Sequence, residues 1–166
     1  MTGARRIAAR CRRTALGSEG ATIVELAISC GILLSLMIGV MQMCFAFYTC
    51  HATAYLARQG SRWAMVRGST SCTNTQNLTD CNATSSEIQS YVTGLGYLNI
   101  STSDVTVNWL TASAAPPTTW SACAGTCNTP GNAVQVVVTY PFPLHIPFVR
   151  AQTLSVTSRS QVAIAQ

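Results

Sequence analysis

Charge is scarce in this chain. Only 9% of its 166 residues are Asp, Glu, Lys or Arg, against 48% hydrophobic, a charge density low for a freely soluble protein. Lysine is absent, so all ten basic residues are arginine. Arg5, Arg6, Arg10, Arg12 and Arg13 crowd together ahead of an apolar run. Spread evenly, the net charge of +5 would point toward nucleic acid. Beside a hydrophobic segment it is a topology signal instead, and no nucleic-acid partner is expected. Proline is missing before Pro116, so nothing interrupts a helix over the first two thirds of the chain. No HExxH, G-x-S-x-G or P-loop pattern occurs. The chain therefore reads as a structural or interaction protein, with no enzymatic activity, cofactor or metal expected. An exported hydrolase would require a Ser to converge with His51 or His145 and an Asp.

The run from Leu26 to Cys50 carries no charge and exceeds the ~20 helical residues that cross ~30 Å of hydrocarbon. A cleavable secretory signal has a shorter apolar core, ~7–15 residues, ending in small residues at the cleavage site. Here the run continues through Met41-Gln42-Met43-Cys44-Phe45-Ala46-Phe47-Tyr48 with no A-x-A site. A retained transmembrane helix over residues 21–50 is expected, making a single-pass protein. The arginine cluster places residues 1–20 in the cytoplasm as a leader and residues 51–166 outside as an exported domain.

The cysteines divide in the same way. Cys72, Cys81, Cys123 and Cys127 lie in polar sequence beyond the span. Four cysteines in an oxidising compartment indicate two disulfides, with three pairings open. A zinc site on the same four residues is the alternative, with loose ligand spacing.

Periodicity outlines the exported domain. Tyr55, Leu56, Gln59, Trp63 and Val66 recur at helical spacing, predicting a helix over 51–67 whose apolar stripe packs on the domain's own sheet. Thr84 and Glu87 form a capping-box pattern, opening a short helix over 84–95 with Ile88, Tyr91, Val92 and Leu95 on one face. Period-two alternation follows. Val105, Val107 and Trp109 mark a strand at about 104–110; Val134, Val136, Val138 and Tyr140 mark one at 133–140. Leu154, Val156, Val162 and Ile164 share one face of a third, at 153–164. Strands joined by proline-containing connections predict a small antiparallel sheet. The expected fold class is α+β, a long N-terminal membrane helix continuing into a domain with a short helix and an antiparallel sheet.

Glu25 remains to be explained, a carboxylate just inside a membrane segment. It favours the positive end of a helix dipole, but an ionisable residue in a span also calls for a named partner. "Gly20-Ala21-Thr22-Ile23-Val24-Glu25", behind an arginine-rich leader, resembles the cleavage region of type IV prepilins. The longer pattern is similar to TadE-like proteins, minor pseudopilins of tight-adherence (Tad) pilus systems. It is carried by "GATIVELAI", "FAFYTCHATAYLARQGSRWAMVRG", "VQVVVTYPFPL" and a closing Ser/Thr-rich strand.

That resemblance implies a pilin-like protein of the bacterial inner membrane, needed for assembly of an adhesive pilus. It implies cleavage between Gly20 and Ala21 by a prepilin peptidase. Other pilins and pseudopilins of the same system, and the lipid bilayer, would be its further partners. Glu25 would pair with the new amine of Ala21 on a neighbouring subunit. Gly31, Ser35 and Gly39 form a small-residue stripe suited to close helix packing. Leu26 stands where the major pilin usually has tyrosine, and the exported body is far larger than a major pilin's tail. Both departures favour a minor pseudopilin. The competing expectation is an unprocessed, signal-anchored binding protein with a disulfide-stapled ectodomain.

Overall fold

The structure, a computed structural model, describes residues 3–74, 80–113, 119–125, 127–145, 147 and 150–165, with backbone alone for 3–19 and 74. It divides into two compact units. One comprises Met1–Met43 with His145–Ala151, the other Cys44–Leu144 with Gln152–Gln166.

Helix α1, Gly3–Met65, runs through both units. Proline is absent from it, and helix-favouring Ala, Leu and Met are frequent, so its backbone bonds close internally. In the first unit its described side chains face outward, Ile23 at 66% exposure and Leu33 at 62%. The segment Gly20–Met65 has a window of mean hydropathy 2.3 with none of it buried. Leucine and isoleucine at such exposure are unfavourable in water and favourable in lipid.

The second unit is a domain built on the last turns of α1. After Met65 come a single turn, α2 (Ser71–Asn74), and α3 (Ser85–Gly94). Thr84 caps α3: its hydroxyl accepts from the Glu87 N–H at 3.4 Å, and the Glu87 carboxylate accepts from the Thr84 N–H at 2.7 Å. Gly96, at φ +73°, turns the chain away from its end, a conformation that costs glycine nothing. A 3₁₀ turn, Thr102–Asp104, leads into β1 (Val105–Ala112), β2 (Trp120–Ala122), β3 (Ala133–Leu144) and β4 (Gln152–Ala163). They form one antiparallel sheet in the order β2-β1-β3-β4.

Strand β2 falls where the sequence shows only a proline- and cysteine-containing loop. It is three residues long and exposed throughout, too short to display alternation. Elsewhere the pleat places side chains as the alternation predicts. Val105, Trp109, Val134, Val136 and Val138 are buried on one face, and Val105 pairs with Val138 as Val107 pairs with Val136. On β4, Leu154, Val156 and Val162 stand opposite Phe142, Tyr140 and Val134 and share one face as expected, but while Val156 is buried, Leu154 near the start of the strand is 52% exposed. β4 is an edge strand, so Leu154 has a strand neighbour on one side only.

The face that α1 turns to the sheet also departs from the expected stripe. Thr49, Ala52, Thr53, Leu56, Ala57, Ser61 and Ala64 are buried, whereas Tyr55 is exposed and Gln59, Trp63 and Val66 are half-buried. Leu56 from the expected stripe and small residues beside it make this contact, with Trp63 packed at its margin, because the helix lies close against the sheet. A Cβ on Gly60 would stand 2.6 Å from Val92 Cγ2 and 3.2 Å from Val136 Cγ1. Ser61 and Ser160 share a hydrogen bond of 2.8 Å across the same contact. The aromatics flank it instead. Trp63 stacks on Tyr91 with centroids 5.0 Å apart, Arg67 lies 4.2 Å from the Trp63 ring, and Tyr55 meets Tyr97 edge-on at 5.4 Å.

Candidate functional site

The residues singled out at the start of the apolar run lie on consecutive turns of α1. Gly20, Ala21 and Glu25 are helical and exposed. Nothing stands within 4 Å of a Cβ built on Gly20. Ala21 and Glu25 are one turn apart on the same side of the helix, ~6 Å along its axis. Val24, Leu26 and Ile28 around the carboxylate are each at least 60% exposed. An acidic group here is surrounded on its own helix by side chains that favour hydrocarbon.

One turn further on, Val24, Ala27, Ile28, Gly31, Ile32 and Ser35 line a shallow apolar groove along α1. Ser35 turns its hydroxyl back to the Ile32 carbonyl at 2.9 Å, so its polar atom does not interrupt the groove. Gly31 and Gly39 each have open space where a Cβ would lie. The small-residue stripe is therefore accessible along its length, as close approach of another helix requires.

The four cysteines beyond the span form two local disulfides, Cys72–Cys81 and Cys123–Cys127, with Cα atoms 5.1 and 6.3 Å apart. The pairing left open by the sequence is thereby fixed, and these sulfurs are not zinc ligands. Among the described residues no three His, Cys, Asp or Glu side chains stand together as a metal site. His51 and His145 are both exposed.

The two disulfide loops meet through a residue that no sequence pattern marks. Asn128, 6% exposed, donates to Asn82 Oδ1 at 2.7 Å and to the Ala83 carbonyl at 3.3 Å. Its own carbonyl accepts from the Ser69 N–H at 2.8 Å. Asn82 follows Cys81 and Asn128 follows Cys127, so each cysteine pair holds one half of this contact. Ser71, fully buried, completes it by accepting from the Asn82 N–H at 3.0 Å and donating to the Gly68 carbonyl at 2.7 Å. Buried polar groups of this kind stabilise only when satisfied, and each of these is. A lone Asn in a polar loop has no periodicity to reveal it. The buried face of α1 had a signal, small residues recurring every three or four positions from Thr49 to Ala64.

An exposed apolar helix long enough to cross a bilayer, joined to a small α+β domain, fits a single-pass membrane protein. The model of the TadE-like protein family matches residues 20–62, so that stretch of the chain is similar to TadE-like proteins. The match covers the apolar run and most of the domain's share of α1; α2, α3 and the sheet lie outside it. Comparison with curated proteins and with solved structures gives no match.

Proposed function

We propose that the protein is a minor pseudopilin of a Tad-type pilus, cleaved after Gly20 by a prepilin peptidase. It then enters an adhesive pilus or assists its assembly. In this role residues 1–20 are cytoplasmic, the α+β domain is exported, and the chain sits in a bacterial inner membrane before assembly. It carries no catalysis, cofactor or metal. The observation that supports this best is the TadE-like match, which begins at Gly20 and runs through the whole uncharged segment.

The physical logic lies in two charges. In the uncleaved chain Glu25 lies within a continuous helix that begins at Gly3, far from any helix end. Cleavage after Gly20 makes Ala21 the start of the helix and gives it an ammonium group. Glu25 then lies in the first turns of the helix, where the dipole favours an anion. A carboxylate taken into a helix bundle is tolerable when paired with a cation, and the ammonium of a neighbouring subunit supplies one. Such a pair fixes the axial register of one helix against the next. The groove along Gly31 and Ser35 lets the helices approach closely enough to form it.

Substitution of Glu25 tests this. Glu25→Gln keeps the size of the side chain and removes the charge. The variant is expected to insert in the membrane in normal amount while piliated cells fall at least tenfold. Normal piliation would remove the role given to Glu25. An unprocessed, signal-anchored binding protein fits the two disulfides equally well, and it is distinguished by needing no prepilin peptidase.

A further inference from the structure

Strand β4 ends the sheet, and along Gln152–Ala163 only β3 pairs with it. Its backbone groups alternate between the two sides, as antiparallel pairing requires. Two bonds just past its end fix which residues face which way. Ile164 donates its N–H to the Asn132 carbonyl at 2.8 Å, on the β3 side, and Ala165 donates to the Met65 carbonyl at 3.1 Å, on the other. Counted back by twos, Thr153, Ser155, Thr157, Arg159, Gln161 and Ala163 aim their N–H and C=O groups away from β3. All of these are exposed, and no described residue takes up their outward backbone groups.

A long free edge is a template for another strand. The devices that usually block one are scarce here, for β4 contains no proline and Arg159 is its one charged residue. What the edge fits is set by its own sequence. Outward groups meet only where odd-numbered residues stand opposite odd-numbered ones, and a second β4 running antiparallel meets this condition. One such register sets Ser158 opposite Ser158 of the second copy, Thr157 opposite its Arg159, and Leu154 opposite its Val162. Every outward residue from Thr153 to Ala163 is then paired. An apolar neighbour also comes to Leu154, 52% exposed, and to the half-buried Val162. A shift by one pair in one direction sets Arg159 against Arg159, a like-charge contact. A shift the other way sets Leu154 against Ser160 and carries Ala163 past the end of the other strand.

We propose that β4 is a self-pairing edge, and that its partner is the β4 of a second copy of this chain in that register. The contact is isologous, with its two-fold axis between the two Ser158 residues, and it joins two four-stranded sheets into one. Both helices fit on the same face. Gly60 stands against Val136 of β3 and Ser61 bonds Ser160 of β4 at 2.8 Å, so α1 lies above these two strands. At ~4.8 Å per strand the helices of the two copies stand about 10–14 Å apart. Packed helices need about 8–10 Å. The Ser61–Ser160 and Met65–Ala165 bonds also show that α1 and β4 run in the same direction within the domain. Antiparallel strands therefore set the Cys44–Met65 segments of the two copies antiparallel, and the contact joins copies of opposite orientation. It is separate from the helix packing proposed for the pilus and does not rest on it.

Sedimentation of the full-length protein in detergent, over a range of concentrations, tests the pairing. A monomer–dimer equilibrium is expected. Thr157→Glu sets a carboxylate opposite Arg159 of the second copy, and the two-fold axis makes this happen twice. It is expected to tighten the dimer severalfold at low salt. Thr157→Arg is expected to weaken it by a similar factor, and both effects to shrink at high salt. Thr157→Pro removes an outward N–H that the fold does not use. It is expected to weaken the dimer at least tenfold with a near-normal unfolding midpoint, and if it unfolds instead, the Glu and Arg variants decide. A monomer at every concentration overturns the proposal. So does a dimer that all three variants leave unchanged, since it forms through another surface. If Glu and Arg weaken the dimer alike, the register assigned to β4 is wrong and the proposal falls.

Discussion

Gly60 sets how closely helix and sheet approach in the domain. Its missing side chain is the space that Val92 and Val136 occupy. Gly60→Ala is expected to gain helix propensity but lose more to crowding, for a net cost of about 1–3 kcal/mol. Thermal unfolding of the full chain in detergent would show it as a lower midpoint, and an unchanged or raised midpoint would mean that Val92 moves aside freely. Asn128 has a different kind of importance, since its side chain joins two loops rather than filling a gap. Asn128→Ala leaves the Asn82 and Ala83 acceptors without their donor and is expected to cost about 1–3 kcal/mol. Asn128→Asp should be worse, because it sets a carboxylate oxygen against acceptors that need a proton. If Asp is the milder of the two in the same unfolding measurement, the hydrogen bonds assigned to Asn128 are not the ones that hold the loops.

At the level of elements, the strands were readable because half-buried strands impose a period of two on their sequence. Val105, Val107 and Trp109 show it, as do Val134, Val136 and Val138. α3 was readable from Thr84 and Glu87, whose spacing matches the capping geometry. The buried face of α1 was not. Hydrophobic periodicity picks out large apolar residues, and here Tyr55 and Trp63 flank the contact while Gly60, Ser61 and Ala64 make it. β2 was invisible for another reason, its short length: Trp120–Ala122 pairs with β1 through backbone groups that any sequence carries. The disulfides add local staples. In the loop-entropy description closing Cys72–Cys81 stabilises by about 2–3 kcal/mol, and the shorter Cys123–Cys127 loop by several tenths less. Replacing Cys72 and Cys81 by serine should therefore lower the unfolding midpoint more than replacing Cys123 and Cys127. Equal losses, or the reverse order, would show that the Asn82–Asn128 contact and not loop length dominates.

Under the proposed function, the molecule as a whole is organised around a change of state. Its arginine cluster and apolar run, with Glu25 just inside that run, describe a single-pass membrane protein, and the proposed cleavage would complete a charge pair at its N-terminal end. The candidate site is legible as a pattern without coordinates, because Gly20, Ala21 and Glu25 follow one another along the chain and the role proposed for them lies in their spacing. The structure adds that all three lie on one uninterrupted helix, so the proposed cleavage requires the bond after Gly20 to be drawn out of helical geometry. Glycine at position 20, with no side chain to pack and a helix cost of about 1 kcal/mol relative to alanine, makes that opening easier. The central claim is that the functional chain starts at Ala21, and intact-mass measurement of the protein recovered from piliated cells tests it most directly. A mass corresponding to residues 21–166, lost in cells without the prepilin peptidase, is the predicted result. An uncleaved chain, or one cut at any other bond, would contradict it.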